Sequence, residues 1–98
     1  MDKFNSAKDG RKVVVSAGVR EQISGGLGIP CRKIDIMALK TNTSGIAVGG
    51  NTVVASGAAV RGIPLDPGQS TTIYIHNLNK LWMDVEKSGE GASFMYFD

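Results

Sequence analysis

Ile63-Pro64-Leu65-Asp66-Pro67-Gly68-Gln69-Ser70, with the alternating run over residues 71–87 that follows it, decides how the rest of the chain is read. Pro67 presets φ for the second position of a turn, and Gly68 takes the positive φ that comes next. The turn is expected to reverse the chain into a strand. From there Ile73 and Ile75 alternate with Tyr74 and His76. Past Asn77-Leu78-Asn79 the aliphatic set continues at Leu81, Met83 and Val85, which leaves Trp82, Asp84 and Glu86 on the other face. A three-residue loop at 77–79 would set odd residues opposite odd ones and put all five aliphatic side chains on one face of a β-hairpin. Asparagine suits such a loop because it tolerates left-handed backbone angles.

Working outward, Ile34, Ile36 and Ala38 alternate with Lys33, Asp35 and Met37, a strand pattern with a mixed outer face. Short strands are also expected over Val13-Val14-Val15-Ser16, over residues 19–24, at Ile46-Ala47-Val48, over residues 52–55 and over residues 92–97. Both faces of the last are apolar, so it should lie buried or in a subunit contact. Turn clusters separate them at Asn42-Thr43-Ser44-Gly45, Gly49-Gly50-Asn51 and Gly89-Glu90-Gly91. Seven or eight short strands at this spacing define an all-β domain, an antiparallel β-sandwich or a jelly-roll-like barrel, over residues 13–98. Residues 1–12 are polar apart from Met1, Phe4 and Ala7 and read as a mobile arm. That arm is either a frayed terminus or a tether anchored by Phe4 on a neighbouring subunit.

Composition agrees with strands and turns. The 42% hydrophobic fraction is built from Val, Ile and Ala, and 13 glycines accompany only 20% charged residues. A chain of 98 residues buries roughly 60–65% of its unfolded surface, so oligomerisation would add useful burial. The net charge of +2 is scattered, without the basic stripe and interleaved aromatics of a nucleic-acid binder. Cys31 is the single cysteine, which rules out an internal disulfide and a multi-cysteine metal site. No apolar run approaches the ~20 residues of a spanning helix, and the first residues lack a signal-peptide pattern, so a soluble protein made in the cytoplasm is expected.

Few residues could carry chemistry. His76 is the one histidine, so any nucleophilic or general-base machine would be built on it with Asp84 or Glu86. Asp84 and Glu86 fall on one side of one strand, roughly 6–7 Å apart by the strand rise, yet any alternating strand with a solvated face produces such a pair. Gly25-Gly26-Leu27-Gly28 precedes Pro30 rather than a helix and reads as flexible linkage, not a phosphate cradle. No cofactor or metal site is expected. The outward set Tyr74, His76, Trp82 and Asp84 is the most informative feature, because such aromatics serve protein interfaces and sugar-stacking platforms alike.

Taken together, Ile29-Pro30-Cys31-Arg32, Ala38-Leu39-Lys40-Thr41-Asn42-Thr43, Ile46-Ala47-Val48-Gly49-Gly50, the stretch from Gly62 to Ser70, Asn77-Leu78-Asn79-Lys80 and the final Gly91 to Phe97 resemble small all-β proteins of tailed-bacteriophage structural modules. Those carry a VGG…GIPL-x-PG-[EQ]-S run and end in a G-x-x-F-x-Y strand. Ala58-Ala59-Val60-Arg61 lengthens the segment before Gly62 relative to that pattern. The resemblance implies a non-enzymatic virion protein made in the host bacterial cytoplasm, a capsid decoration (cement) protein that bridges major capsid proteins as a homotrimer. From its composition, neither nucleic acid nor membrane is expected as a partner. Under that implication Phe4, Lys8, Arg11 and Lys12 of the arm reach a neighbouring capsid subunit, while Tyr74, His76, Trp82 and Phe97 form the capsid or subunit contact. The alternatives are a tail or fibre module that stacks host-surface glycan on Trp82 and Tyr74, and a small hydrolase using His76 with Asp84 or Glu86.

Overall fold

The alternation at Ile34, Ile36 and Ala38 translates directly into structure: these three are buried, their neighbours Lys33, Asp35 and Met37 are half-buried, and Lys33–Ala38 is a strand. The computed structural model describes residues 6–98. In chain order the strands are β1 (Ala7–Val13), β2 (Glu21–Gln22), β3 (Lys33–Ala38), β4 (Ile46–Gly49), β5 (Ile63–Leu65), β6 (Ser70–Tyr74), β7 (Trp82–Val85) and β8 (Gly91–Phe97), with single 3₁₀ turns at Gly57–Ala59 and Leu78–Lys80. Among the described residues no helix is long and apolar enough to cross a membrane.

Two four-stranded antiparallel sheets result, sheet A in the order β1-β8-β3-β6 and sheet B in the order β2-β7-β4-β5. First pairs with eighth, second with seventh, third with sixth and fourth with fifth. That is one long hairpin rolled into two facing sheets, the jelly-roll arrangement of an all-β sandwich. Between the sheets lie Ile34, Ile36, Ala38 and Ala92 from sheet A and Ile46, Val48, Leu65, Met83 and Val85 from sheet B, sealed by Val14, Ile23, Leu78 and Leu81. Each large aliphatic side chain so buried stabilises the fold by about 1.5–3 kcal/mol before entropy is counted.

The hairpin expected over residues 71–87 does not form. Strand β6 pairs with β3 in sheet A, whereas β7 pairs with β2 and β4 in sheet B. The cause is Leu78, which a hairpin loop would expose and which here is only 1% exposed, plugging the end of the core. Its N–H donates to the Ile29 carbonyl, and the Asn77 side chain accepts the N–H groups of Ile29 and Asn79, so this segment crosses from one sheet to the other. Asn77 is extended, and among the described residues none other than glycine has a positive φ. The five aliphatic residues do face inward, but from opposite walls. The Asp66-Pro67-Gly68 turn forms, with Gly68 at φ +83°, and it too carries the chain between sheets.

Residues 7–12 are not outside the domain: they belong to β1, paired along its whole length with β8. Their composition hid this, because the register puts Lys8, Gly10 and Lys12 on the inner side, opposite Tyr96, Phe94 and Ala92. The apolar cover comes from the neighbouring strand. The Phe94 ring lies over Gly10, where a Cβ would come within 2.6 Å of Cζ. Of the strand expected over residues 19–24 only β2 forms. The strand expected over residues 52–55 is reduced to a single bridge between Val54 and Arg61.

Lys12 closes the sandwich on the β1 side, with Nζ 2.8 Å from Glu21 Oε1 on β2 of the opposite sheet, and the other Glu21 oxygen accepts the Val15 N–H. The Lys12 hydrogen bond first, and that of Val15 second, hold the Glu21 carboxyl below its ordinary value of 4.5. Glu90 is lowered too, chiefly by the Thr43 N–H and further by the Thr43 hydroxyl and the Ser44 N–H. A carboxylate depressed in the folded state contributes stability above its unfolded value, and that contribution disappears as pH falls through the folded one. Urea midpoints should therefore fall as pH drops below 4.5, the ordinary glutamate value. The double variant Glu21→Gln/Glu90→Gln should be less stable at neutral pH but show a flatter acid limb.

Candidate functional site

The registers place side chains in rows across the outer face of sheet A. Ala7, Phe97, Lys33 and Tyr74 form one row, Asp9, Met95, Asp35 and Thr72 the next, and Arg11, Ser93, Met37 and Ser70 the third. Tyr74 is 67% and Met95 43% exposed, while Phe97 and Met37 are half-buried among their neighbours. Polar contacts stiffen the centre. Lys33 Nζ lies 4.8 Å from the centroid of the Phe97 ring and 3.7 Å from Asp35 Oδ2, and Asp35 Oδ1 accepts the Thr72 hydroxyl. Between the second and third rows is a shallow depression of about 400 Å³ lined by Asp9, Asp35, Met37, Ser70, Ser93 and Met95. Aromatic and methionine side chains around a few fixed charges are what the core of a protein interface uses.

The outer face of sheet B is different, because the chain covers it. Ala47, Val53 and Ala55 form a small cluster against which Trp82 packs. Asp84 is 1% exposed, and its two oxygens accept the backbone N–H groups of Gly18 and Ala55, each at 2.9 Å. One carboxylate thus ties two surface loops to β7. Beside it, Gly18, Val19, Arg20, Asn51 and Trp82 line an open basin of about 460 Å³.

The outward set read from the sequence is therefore divided. Tyr74 faces out from sheet A, with exposed His76 in the segment after β6, whereas Trp82 and Asp84 lie on the far side of the sandwich. Tyr74 and Trp82 cannot form one stacking platform. Nor is Asp84 a solvated partner for His76, since both of its oxygens are engaged by backbone; Glu86 alone of the two carboxylates is exposed. Lys12 is committed to Glu21, Lys8 and Arg11 are exposed on β1, half-buried Phe97 joins Tyr74 on the outer face of sheet A, and Phe4 lies outside the described residues. Cys31 is buried, donates to the Ile75 carbonyl and has its thiol pushed up by burial and by the nearby Asp98 carboxylate, which suits an inert core residue.

Sequence reasoning missed Lys33, Asp35, Met37 and Met95 as parts of one surface. Their strands were legible, and their mixed outward faces were the available signal. That β3 and β8 lie side by side was not legible. Compared with protein-family models, with curated proteins and with solved structures, the chain matches none.

Proposed function

We propose that the chain is a non-enzymatic structural module that decorates a bacteriophage capsid, docking on the major capsid protein through the outer face of sheet A. The observation that supports this reading is the contrast between the two faces: sheet B is covered by its own loops, whereas sheet A exposes Tyr74 and Met95, with Phe97 and Met37 half-buried around the Lys33 and Asp35 pair. Jelly rolls serve viral capsid domains and lectins among other roles, and the architecture is compatible with this one. The virion context itself rests on the motif resemblance.

Co-sedimentation with expanded capsids lacking this protein tests the proposal. Saturable binding is expected, and the exposed-face double variant Tyr74→Ser/Met95→Ser should weaken it by about tenfold or more, as loss of an interface hot spot does. Absence of binding to capsids would overturn it. The basin beside Trp82, with Arg20 and Asn51 at its rim, supports a second reading as a glycan-binding module. Because Trp82 is the one tryptophan, a fluorescence shift on titration with host-surface glycans, coupled with no capsid binding, would favour that reading.

A further inference from the structure

Strand β1 is an outermost strand of sheet A, seven residues long, without proline and in unbroken register with β8. Ser6 and Asp98 exchange both of their backbone hydrogen bonds. By the antiparallel alternation, Lys8, Gly10 and Lys12 then direct their N–H and C=O groups to β8, and Ala7, Asp9, Arg11 and Val13 direct theirs away from it. No turn, loop or side chain among the described residues takes those groups up. The edges of sheet B are shorter, two residues in β2 and three in β5, where Pro64 removes a donor.

We propose that this edge binds a second copy of the same chain, β1 against β1 antiparallel, across a twofold axis at Gly10. Two four-stranded sheets then become one of eight. Charge selects both the occupant and the register. With Gly10 opposite its symmetry mate, Asp9 faces Arg11 of the second copy and Arg11 faces its Asp9, while Ala7 meets Val13. Sliding the pair to the next hydrogen-bonding registers sets Asp9 against Asp9 or Arg11 against Arg11, and like charges directly opposite are destabilising. Gly10 forms the closer, non-hydrogen-bonded pair, where strands approach most tightly. The Phe94 ring already lies over Gly10, so the two Phe94 rings are brought to the join on the inner side. Lys8 faces Lys12 of the other copy there, and the Glu21 carboxylate, 2.8 Å from Lys12, offsets that repulsion. Charged residues on an edge also serve to keep strands apart, which predicts a monomer from the same residues.

Light scattering on the full chain, from roughly micromolar to millimolar concentration, separates the two. The expected mass is twice the 10.3 kDa of one chain. Asp9→Arg alone and Arg11→Asp alone should each weaken the dimer by about tenfold, and the double variant should restore it, since it re-forms the opposite-charge pairs in reversed order. All these side chains are exposed, so an unchanged circular dichroism spectrum is expected of every variant. Hydrogen exchange should show the Asp9 and Arg11 amides protected in the dimer and open in the single variants. A monomer at all concentrations, the trimer that the phage resemblance implies, or a dimer indifferent to the single reversals would each overturn the proposal. Capsid binding is read separately and does not bear on it.

Discussion

Asp84→Ala is expected to lower the unfolding free energy by about 3 kcal/mol, which for a domain of this size is a fall in Tm of roughly 12–24 °C. The carboxylate is buried, and it supplies the acceptors for both Gly18 and Ala55. Removing it leaves the Ala55 N–H without a partner in a buried setting, where the penalty for an unmade hydrogen bond is largest. The Gly18 N–H lies on an exposed loop and can be rehydrated, so its share is smaller. Asp84→Asn keeps one acceptor oxygen and should lose about half as much. Hydrogen exchange would check the mechanism as well as the size. The Gly18 and Ala55 amides should exchange faster in both variants, while the amides of β3 and β8 change only with global stability.

Gly91→Ala should cost as much, about 3 kcal/mol at the upper end of what overpacking produces. A Cβ at this position would collide with the Lys12 carbonyl and come within 2.8 Å of Val13 Cα, and both are backbone atoms that no rotamer change can clear. Gly91 cannot withdraw either. Its carbonyl accepts from Asn42 Nδ2 at 2.8 Å and from the Leu39 N–H at 3.0 Å. The end of β1 must leave β8 instead. Gly50→Ala, where an added Cβ meets nothing within 4 Å, is the control and should leave the urea midpoint within about 0.5 kcal/mol of the parent, as surface substitutions do.

Alternation along a strand reports which side of that strand is apolar, and it does so faithfully here. Ile34, Ile36 and Ala38, then Ile73 and Ile75, then Leu81, Met83 and Val85 all face the core. Alternation does not report which strand lies alongside. Ile73 and Met83 share an inward direction while belonging to opposite sheets, and it is the pairing of their strands, with Leu78 buried between them, that distinguishes this from a hairpin. Strand β1 was illegible for a different reason: its inner positions are Lys8, Gly10 and Lys12, and the hydrophobic material covering them is Phe94 from another part of the chain. Asp84 was assigned correctly to the outer face of its strand, but outer is not the same as solvated once Gly18 and Ala55 come to rest on it. On the outer face of sheet A, Tyr74 and Phe97 were visible as aromatics, and their meeting across Lys33 depended on the strand order.

The rolled pairing of the sheets has a consequence for how the chain reaches this state. Only β4 and β5 are neighbours both in sequence and in a sheet; every other ladder joins strands separated by at least one intervening strand. Closure entropy must be met before each of those ladders returns any stabilisation, which places the domain among the slow, milliseconds-to-seconds folders. Pairing that spreads outward from the central hairpin would add β1 and β8 to each other last. Until the two ends meet, Ile36 and Phe94 have no lasting cover, and the interval before closure is when the chain is most exposed to chance association.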